Sequence, residues 1–326
     1  MNTMIMRLGC WLTPIALAYS TALFAKEPPS YPTRPIRIII SAAPGGGAYI
    51  IARAAAQVLS DRWGQNVVVD SRPGGTGVIA VELAARAAPD GYTILQYGDG
   101  LMVIAAMKRV PFDVLTTFRP VVSLSTQPYV ILVQASTPVR SINELIALSQ
   151  TKPWTYSGGN GVGSSVHLGM ERLAAQTGMK VKFIAYKGAN PAILALMGGE
   201  INMTTASAMA SSAAIRTGKV RGLASTGLRR VASLPDLPTV AEQGVPGFNF
   251  TNRYNWWMPA ETPRAIIEAI NQVASDGMHS PQIVQWLAGE GSAPPERMTP
   301  AQLQAAVARE YIAVERTVKD LKLVSR

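Results

Sequence analysis

The sequence predicts an α/β fold arranged as two lobes, each a sheet flanked by helices. Three observations predict it. A unit of apolar strand, glycine-rich loop and helix recurs along the chain. Two runs of such units are joined by crossing segments near Ser125 and Phe250. The C-terminal third reads as helices that return to the first run. With 326 residues, 48% of them hydrophobic, the chain has material for about two such bodies. Charged residues make up only 15%, which argues against a large disordered tract.

The units follow in order. Ile36–Ser41 is a short apolar strand that runs into Pro44-Gly45-Gly46-Gly47. The helix after it, Tyr49 to Arg62, places Ile50, Ile51, Ala54 and Val58 on one face. Val67–Val69 is a second strand, followed by Arg72-Pro73-Gly74-Gly75-Thr76-Gly77 and a helix to about Ala88. Thr93–Tyr97 is a third, closed by Gly98-Asp99-Gly100. In the second run, Val130–Val133, Trp154–Ser157, Val181–Tyr186, Ile201–Thr205 and Val220–Ser225 read as strands. Ile142–Ser149 is a helix introduced by Ser141, another spans Ser164 to Thr177, and Pro191 suits the first turn of a third. A proline-rich link, Leu234–Gly247, leads to helices at Pro263–Met278, Pro281–Gly289 and Pro300–Lys319. Such alternation predicts a largely parallel sheet. The lobes are expected at 26–124 with 252–326, and at 125–251.

The N-terminus reads as an export signal over residues 1–25. Met1–Arg7 is short with one positive charge, Leu8 to Phe24 is nearly all apolar, and Ala22 and Ala25 suit a peptidase. The apolar run is shorter than the ~20 residues of a spanning helix, and Pro14 interrupts it. The mature protein is therefore expected to be exported and soluble, and it is also expected to be monomeric. Cys10 is the only cysteine, lies too early for a lipid anchor and leaves with the signal, so no thiol chemistry is expected. The net charge is +10. The basic residues are scattered rather than bunched with aromatics, which argues against nucleic acid. A cationic surface also steers small anions.

A glycine loop between strand and helix presents backbone N–H groups at a helix N-terminus, where an anion is favoured. This arrangement occurs at Gly45–Gly47, Gly74–Gly77, Gly158–Gly163 and Lys187–Asn190, at the strand edge where α/β proteins hold ligands. None of these is a nucleotide loop: G-x-x-x-x-G-K-[S/T] and G-x-G-x-x-G spacings are both missing. No cofactor and no metal are expected, since no metal-ligand spacing occurs. The two histidines, His167 and His279, do not make a catalytic set. His167 lies two or three residues from Ser164 and Ser165 on one helix, a spacing that does not aim it at their hydroxyls. A small hydrolase using those serines is therefore a weaker alternative to a binding protein.

Several motifs resemble those of the substrate-binding receptors of tripartite tricarboxylate transporters, the Bug or TctC family. They are Arg34-Pro35-Ile36, Pro44-Gly45-Gly46-Gly47 and Ile50-Ile51-Ala52-Arg53, then Arg72-Pro73-Gly74, and Ala88-Pro89-Asp90-Gly91-Tyr92-Thr93. Gly161…Gly163-Ser164-Ser165…His167-Leu168, Tyr186-Lys187-Gly188, Gly218-Lys219-Val220-Arg221 and Leu234-Pro235-Asp236-Leu237-Pro238-Thr239-Val240-Ala241-Glu242 follow in order. The resemblance implies a two-lobed "Venus flytrap" of the type II periplasmic binding protein class. It would hold a small carboxylate in the interlobe cleft and deliver it to membrane permease subunits. The same fold docking on a sensor, as a signalling adaptor, shares every one of these features.

The resemblance and the loops together give the ligand-binding candidates: Gly46, Gly47, Ala48, Tyr49, Asp99, Ser157, Asn160, Gly163, Ser164, Ser165, Lys187, Ala206, Ser207 and Arg253. Three departures from the family pattern bear on the ligand. The first loop continues Gly47-Ala48-Tyr49 where Gly-Thr-Asp is usual. Ala206-Ser207 stands for a frequent Asp-Asn, and Arg253 for a usual Trp. These predict a cleft short of carboxylates and richer by one cation. Its ligand would lack an amino group and bear one or two carboxylates, an aromatic or aliphatic dicarboxylate being one form of it, with Tyr49 packing on a ring and Arg253 pairing a carboxylate.

Overall fold

A computed structural model describes residues 31–158, 161–186, 188–321 and 323. The expected signal over residues 1–25, with Arg7 and Cys10, lies outside the described residues, as do Asn160 and Lys187.

The chain opens as β1 (Ile36–Ile40), α1 (Gly47–Trp63), β2 (Val67–Ser71), α2 (Val78–Ala85), β3 (Thr93–Gly98), α3 (Gly100–Ala106) and α4 (Val114–Thr117). Next come β4 (Phe118–Gln134), α5 (Ile142–Ser149), β5 (Trp154–Gly158), α6 (Ser165–Thr177), β6 (Val181–Phe183), α7 (Ala189–Gly198), β7 (Met203–Ser207), α8 (Ala208–Arg216) and β8 (Val220–Ser225). It closes with β9 (Thr251–Pro259), α9 (Arg264–Met278), α10 (Pro281–Gly289) and α11 (Pro300–Asp320).

The strands run in the order β2-β1-β3-β9-β4-β7-β5-β6, with β8 also on β4. Pairings of β1 with β2 and β3, and of β5 with β6 and β7, are parallel. Those of β9 with β3 and β4, and of β4 with β7 and β8, are antiparallel. The sheet is thus mixed, which corrects the largely parallel expectation. The cause is the two crossing strands, β4 and β9, which run against their neighbours. Sequence periodicity finds only Val130–Val133 of β4, because Pro120, Pro128 and a run of polar residues interrupt the apolar pattern. The pairing shifts register between Pro120 and Val122 and between Ser123 and Ser125.

β4 joins two halves of the sheet. Its residues Phe118–Pro128 pair with β9, and Tyr129–Gln134 pair with β7 and β8. Strand alternation then divides its apolar side chains. Ile131 and Val133 join Trp154, Tyr156, Leu173 and Phe248 on one face, while Val130 and Leu132 join Ile193, Leu196 and Ala206 on the other. In the first half, β1 is buried on both faces, with Ile36, Ile38, Ile39 and Ile40 all at 0% exposure, as a parallel strand covered by helices on both sides should be. A third cluster, with Leu95, Leu101, Phe118, Trp257 and Leu303, ties β3, α3, β4, β9 and α11 into one core.

Candidate functional site

Helix N-termini from both halves face one another. α1 begins at Gly47 with Gly46 as its extended N-cap and no capping side chain. A Cβ at residue 47 would stand 3.5 Å from both Nε2 and Oε1 of Gln127 and 3.7 Å from Oγ of Ser207, the N-cap of α8. A Cβ at residue 100, the start of α3, would stand 3.6 Å from the backbone nitrogen of Ser165, the start of α6. Glycine at 47 and 100 thus lets one half approach the other with backbone alone. The partial positive charge of the longer helices makes this a region that favours anions.

The candidates from the sequence distribute as follows. Gly46, Gly47, Ala48 and Tyr49 form the first turn of α1. The Ala48 carbonyl accepts a bond of 2.6 Å from Gln96, whose own oxygen accepts from the Trp256 indole at 3.1 Å. Gln96 thereby fixes the helix start to β3 and β9. Ser164 caps α6 by accepting from the His167 amide at 3.2 Å, and Ser207 caps α8 by accepting from the Ala210 amide at 3.4 Å. Ser165 Oγ lies 3.2 Å from the Tyr129 hydroxyl. Ser157, at 1% exposure, ends β5 with a hydroxyl that has no partner within the protein. Gly163 has φ +81, and a Cβ there would lie 2.8 Å from Met107 Sδ and 3.0 Å from an Arg109 nitrogen, so glycine is required twice over.

Two candidates are corrected. Ala206 sits at 1% exposure within the apolar cluster of Val130 and Leu132, because alternation turns it to the opposite face from Ser207. Arg253 does not add a free cation. Its backbone N–H donates to Asp99 at 3.1 Å, and its guanidinium lies 3.5 Å from Asp99 and pairs closely with Glu310 of α11. Burial works against the Arg253 charge, but Asp99 and Glu310 outweigh it and raise its pKa. Asp99, the third member, is pushed up to about 6 by desolvation, which the opposite charge of Arg253 only partly offsets, while Glu310 adds a smaller like charge.

The expectation that His167 is no partner for the serines agrees with the geometry. Its Nδ1 accepts from the Gly163 amide at 3.3 Å, and its Nε2 lies 3.8 Å from Glu171, which also accepts the Tyr156 hydroxyl at 2.7 Å. Burial lowers the His167 pKa, with Glu171 opposing. The ring is a neutral strut beneath the Gly161–Gly163 loop.

Sequence reasoning missed the polar stripe inside the crossing strands. Gln127 (1% exposed) and Ser125 (0%) on β4, and Thr205 (0%) on β7, hold side-chain atoms with no partner within the protein. The signal was present as Ser123, Ser125, Thr126 and Gln127, a polar run between Val121-Val122 and the apolar Val130–Val133. The contacts that join the halves were missed as well. Arg109 donates to the Val162 carbonyl at 2.5 Å and Thr76 to the same carbonyl at 3.3 Å. Leu168 of α6 packs with Val103, Met107 and Val318. Among the described residues no acidic, histidine or cysteine group could hold a metal ion, and no helix is long and apolar enough to cross a membrane.

Comparison with known proteins supplies a context for this geometry. A family model described as tripartite tricarboxylate transporter family receptor matches residues 51–323. The UPF0065 protein in the tcbD-tcbE intergenic region of a Pseudomonas sp. is 35% identical over 280 residues, covering 85% of this chain and 83% of that protein. The solved structure of the periplasmic binding protein BugD superposes with a TM-score of 0.83 at 28% identity, covering 91% of this chain and 100% of that one. R. palustris Rpa4515 with adipate superposes with a TM-score of 0.82 at 30% identity, covering 90% and 98%. These neighbours are solute-binding proteins and not enzymes.

Proposed function

This chain belongs to the tripartite tricarboxylate transporter receptor family, and from that premise we propose that it captures a small carboxylate between two lobes and presents it to membrane permease subunits. Members of the family are periplasmic binding proteins. In our reading residues 1–25 export this chain, 26–124 with 252–326 form one lobe and 125–251 the other, and β4 and β9 act as the hinge.

The observation that carries the reading is the meeting of α1 with α8. Their N-termini come from opposite halves and face each other across Gly47 and Ser207. An anion between them draws both halves together, which couples capture to closure. The neighbour crystallised with adipate supports an aliphatic dicarboxylate as the first ligand to try. Among the described candidates the one buried cation, Arg253, already has two carboxylate partners, so recognition rests on backbone N–H groups and neutral side chains. An ammonium group is disfavoured near those helix N-termini.

Thermal-shift screening of the purified protein against mono- and dicarboxylates and amino acids tests this. Aliphatic or aromatic dicarboxylates should raise the Tm. Stabilisation by amino acids alone would overturn the reading.

A further inference from the structure

Gln127 is the polar side chain whose position is hardest to explain without a ligand. It is 1% exposed, yet neither Nε2 nor Oε1 has a partner within the protein. An orphaned buried amide costs about 1–3 kcal/mol for each unsatisfied group, so its position calls for an explanation. Its surroundings indicate the use. Both amide atoms lie 3.5 Å from where a Cβ on Gly47 would be, at the uncapped N-terminus of the 17-residue helix α1, beside Ser207 Oγ. A carboxylate held at α1 therefore sits against the Gln127 amide.

A primary amide is a donor at nitrogen and an acceptor at oxygen. Nε2 can donate to the bound carboxylate, but Oε1 can only accept and would oppose a second carboxylate oxygen. It is satisfied when the ligand carries a proton donor on the carbon beside that carboxylate. A hydroxyl meets this need without charge. An ammonium does not, because it faces the positive end of α1 and the Asp99 carboxylate is already engaged by Arg253.

The geometry points to Gln127 as a specificity-determining residue that selects 2-hydroxycarboxylates over the corresponding plain acids and 2-amino acids. This rests on the carboxylate reading above and goes further by naming the substituent.

The test is calorimetric binding to the purified full chain, using malate against succinate, 2-hydroxyglutarate against glutarate and 2-hydroxyadipate against adipate, with the matching amino acids. At one chain length the hydroxy acid should bind about tenfold more tightly than the plain acid. Gln127→Met keeps the volume and removes both polar functions. It should bring the pair within about twofold while the ligand-free Tm holds or rises, since an orphan polar group is removed. A purely structural role for Gln127 would instead lower the Tm and weaken both acids alike. Gly47→Ala is the second variant. Its methyl makes ordinary contact with the amide, and it should abolish the hydroxy preference without unfolding the helix. Equal binding of hydroxy and plain acids by the native protein, or a preference that survives both substitutions, overturns the assignment of Gln127 alone. Failure of every acid to bind overturns the carboxylate reading and this assignment together.

Discussion

The helix N-termini that meet where the two halves of the sheet face each other are capped differently. In the half that contains β5 and β7, α6 and α8 carry their own serine caps, Ser164 and Ser207, which satisfy orphan N–H groups internally. In the half that contains β1 and β3, α1 starts from Gly46 with no cap, and Asp99 at the start of α3 turns away to Arg253. A capped helix end is stable by itself, whereas an uncapped one is completed by whatever anion arrives. Under the proposed function, the first half would hold the charge of the ligand and the second would contribute hydroxyls that shape it.

The largest expected break is Gly47→Asp. It puts a permanent carboxylate at the N-terminus of α1, against Gln127 and Ser207. Dicarboxylate affinity should fall at least about a hundredfold by calorimetry, while the acidic residue in the first turn favours the helix itself by about 0.3–1 kcal/mol. Unchanged affinity would remove α1 from the site.

The halves should also respond oppositely to acid. The Asp99 carboxyl moves from 3.8 to about 6 in the folded protein, so the native state keeps its proton to higher pH. Its contribution to stability is complete below the unfolded value and is lost as pH rises from about 4 to about 6. The size is on the order of 3 kcal/mol. His167 has a folded value below 6.5, so its contribution is complete above the unfolded value and is lost as pH falls through the folded one. Denaturant melts across pH 4–7 should flatten on the acidic-to-neutral limb in Asp99→Asn. An Asp99→Asn profile identical to the native one would contradict the assignment.

Smaller effects come from exchanging the caps. Ser164→Ala and Ser207→Ala should each cost about 1 kcal/mol in stability. Gly46→Ser does the reverse in the other half. Residue 46 is already extended, and a Cβ there meets only the Ala43 oxygen at 3.6 Å. The new hydroxyl should gain a few tenths of a kcal/mol or more for the helix while lowering ligand affinity several-fold, by competing for the same N–H groups. If the serine strengthens both, the uncapped end is not the anion site.

The smallest effect is expected at the contact between the halves. Arg109→Ala removes the bond to the Val162 carbonyl. It should lower the stability by no more than about 1 kcal/mol yet widen the ligand-free form in small-angle scattering. A scattering profile unchanged from native would show that Leu168, Val103, Met107 and Val318 hold the halves without it.

Most elements were legible in the sequence because their causes are local. The apolar run at Ile36–Ile40, the glycine loops before α1 and α6, and Ser141 before α5 each act within a few residues. Serine and glycine at helix starts likewise marked the loops that the sequence offers as anion-binding candidates. What only the tertiary structure decided depends on partners far along the chain. β4 is a 17-residue strand because β9, about 130 residues later, pairs with it through Pro120 and Pro128. Arg253 is neutralised because α11 returns Glu310 to it. Ala206 belongs to the core because β7 fixes which face alternation gives it. Gln127 reads as an ordinary strand residue in sequence. It becomes a candidate recognition element because folding buries it against the bare end of a helix that begins 80 residues earlier.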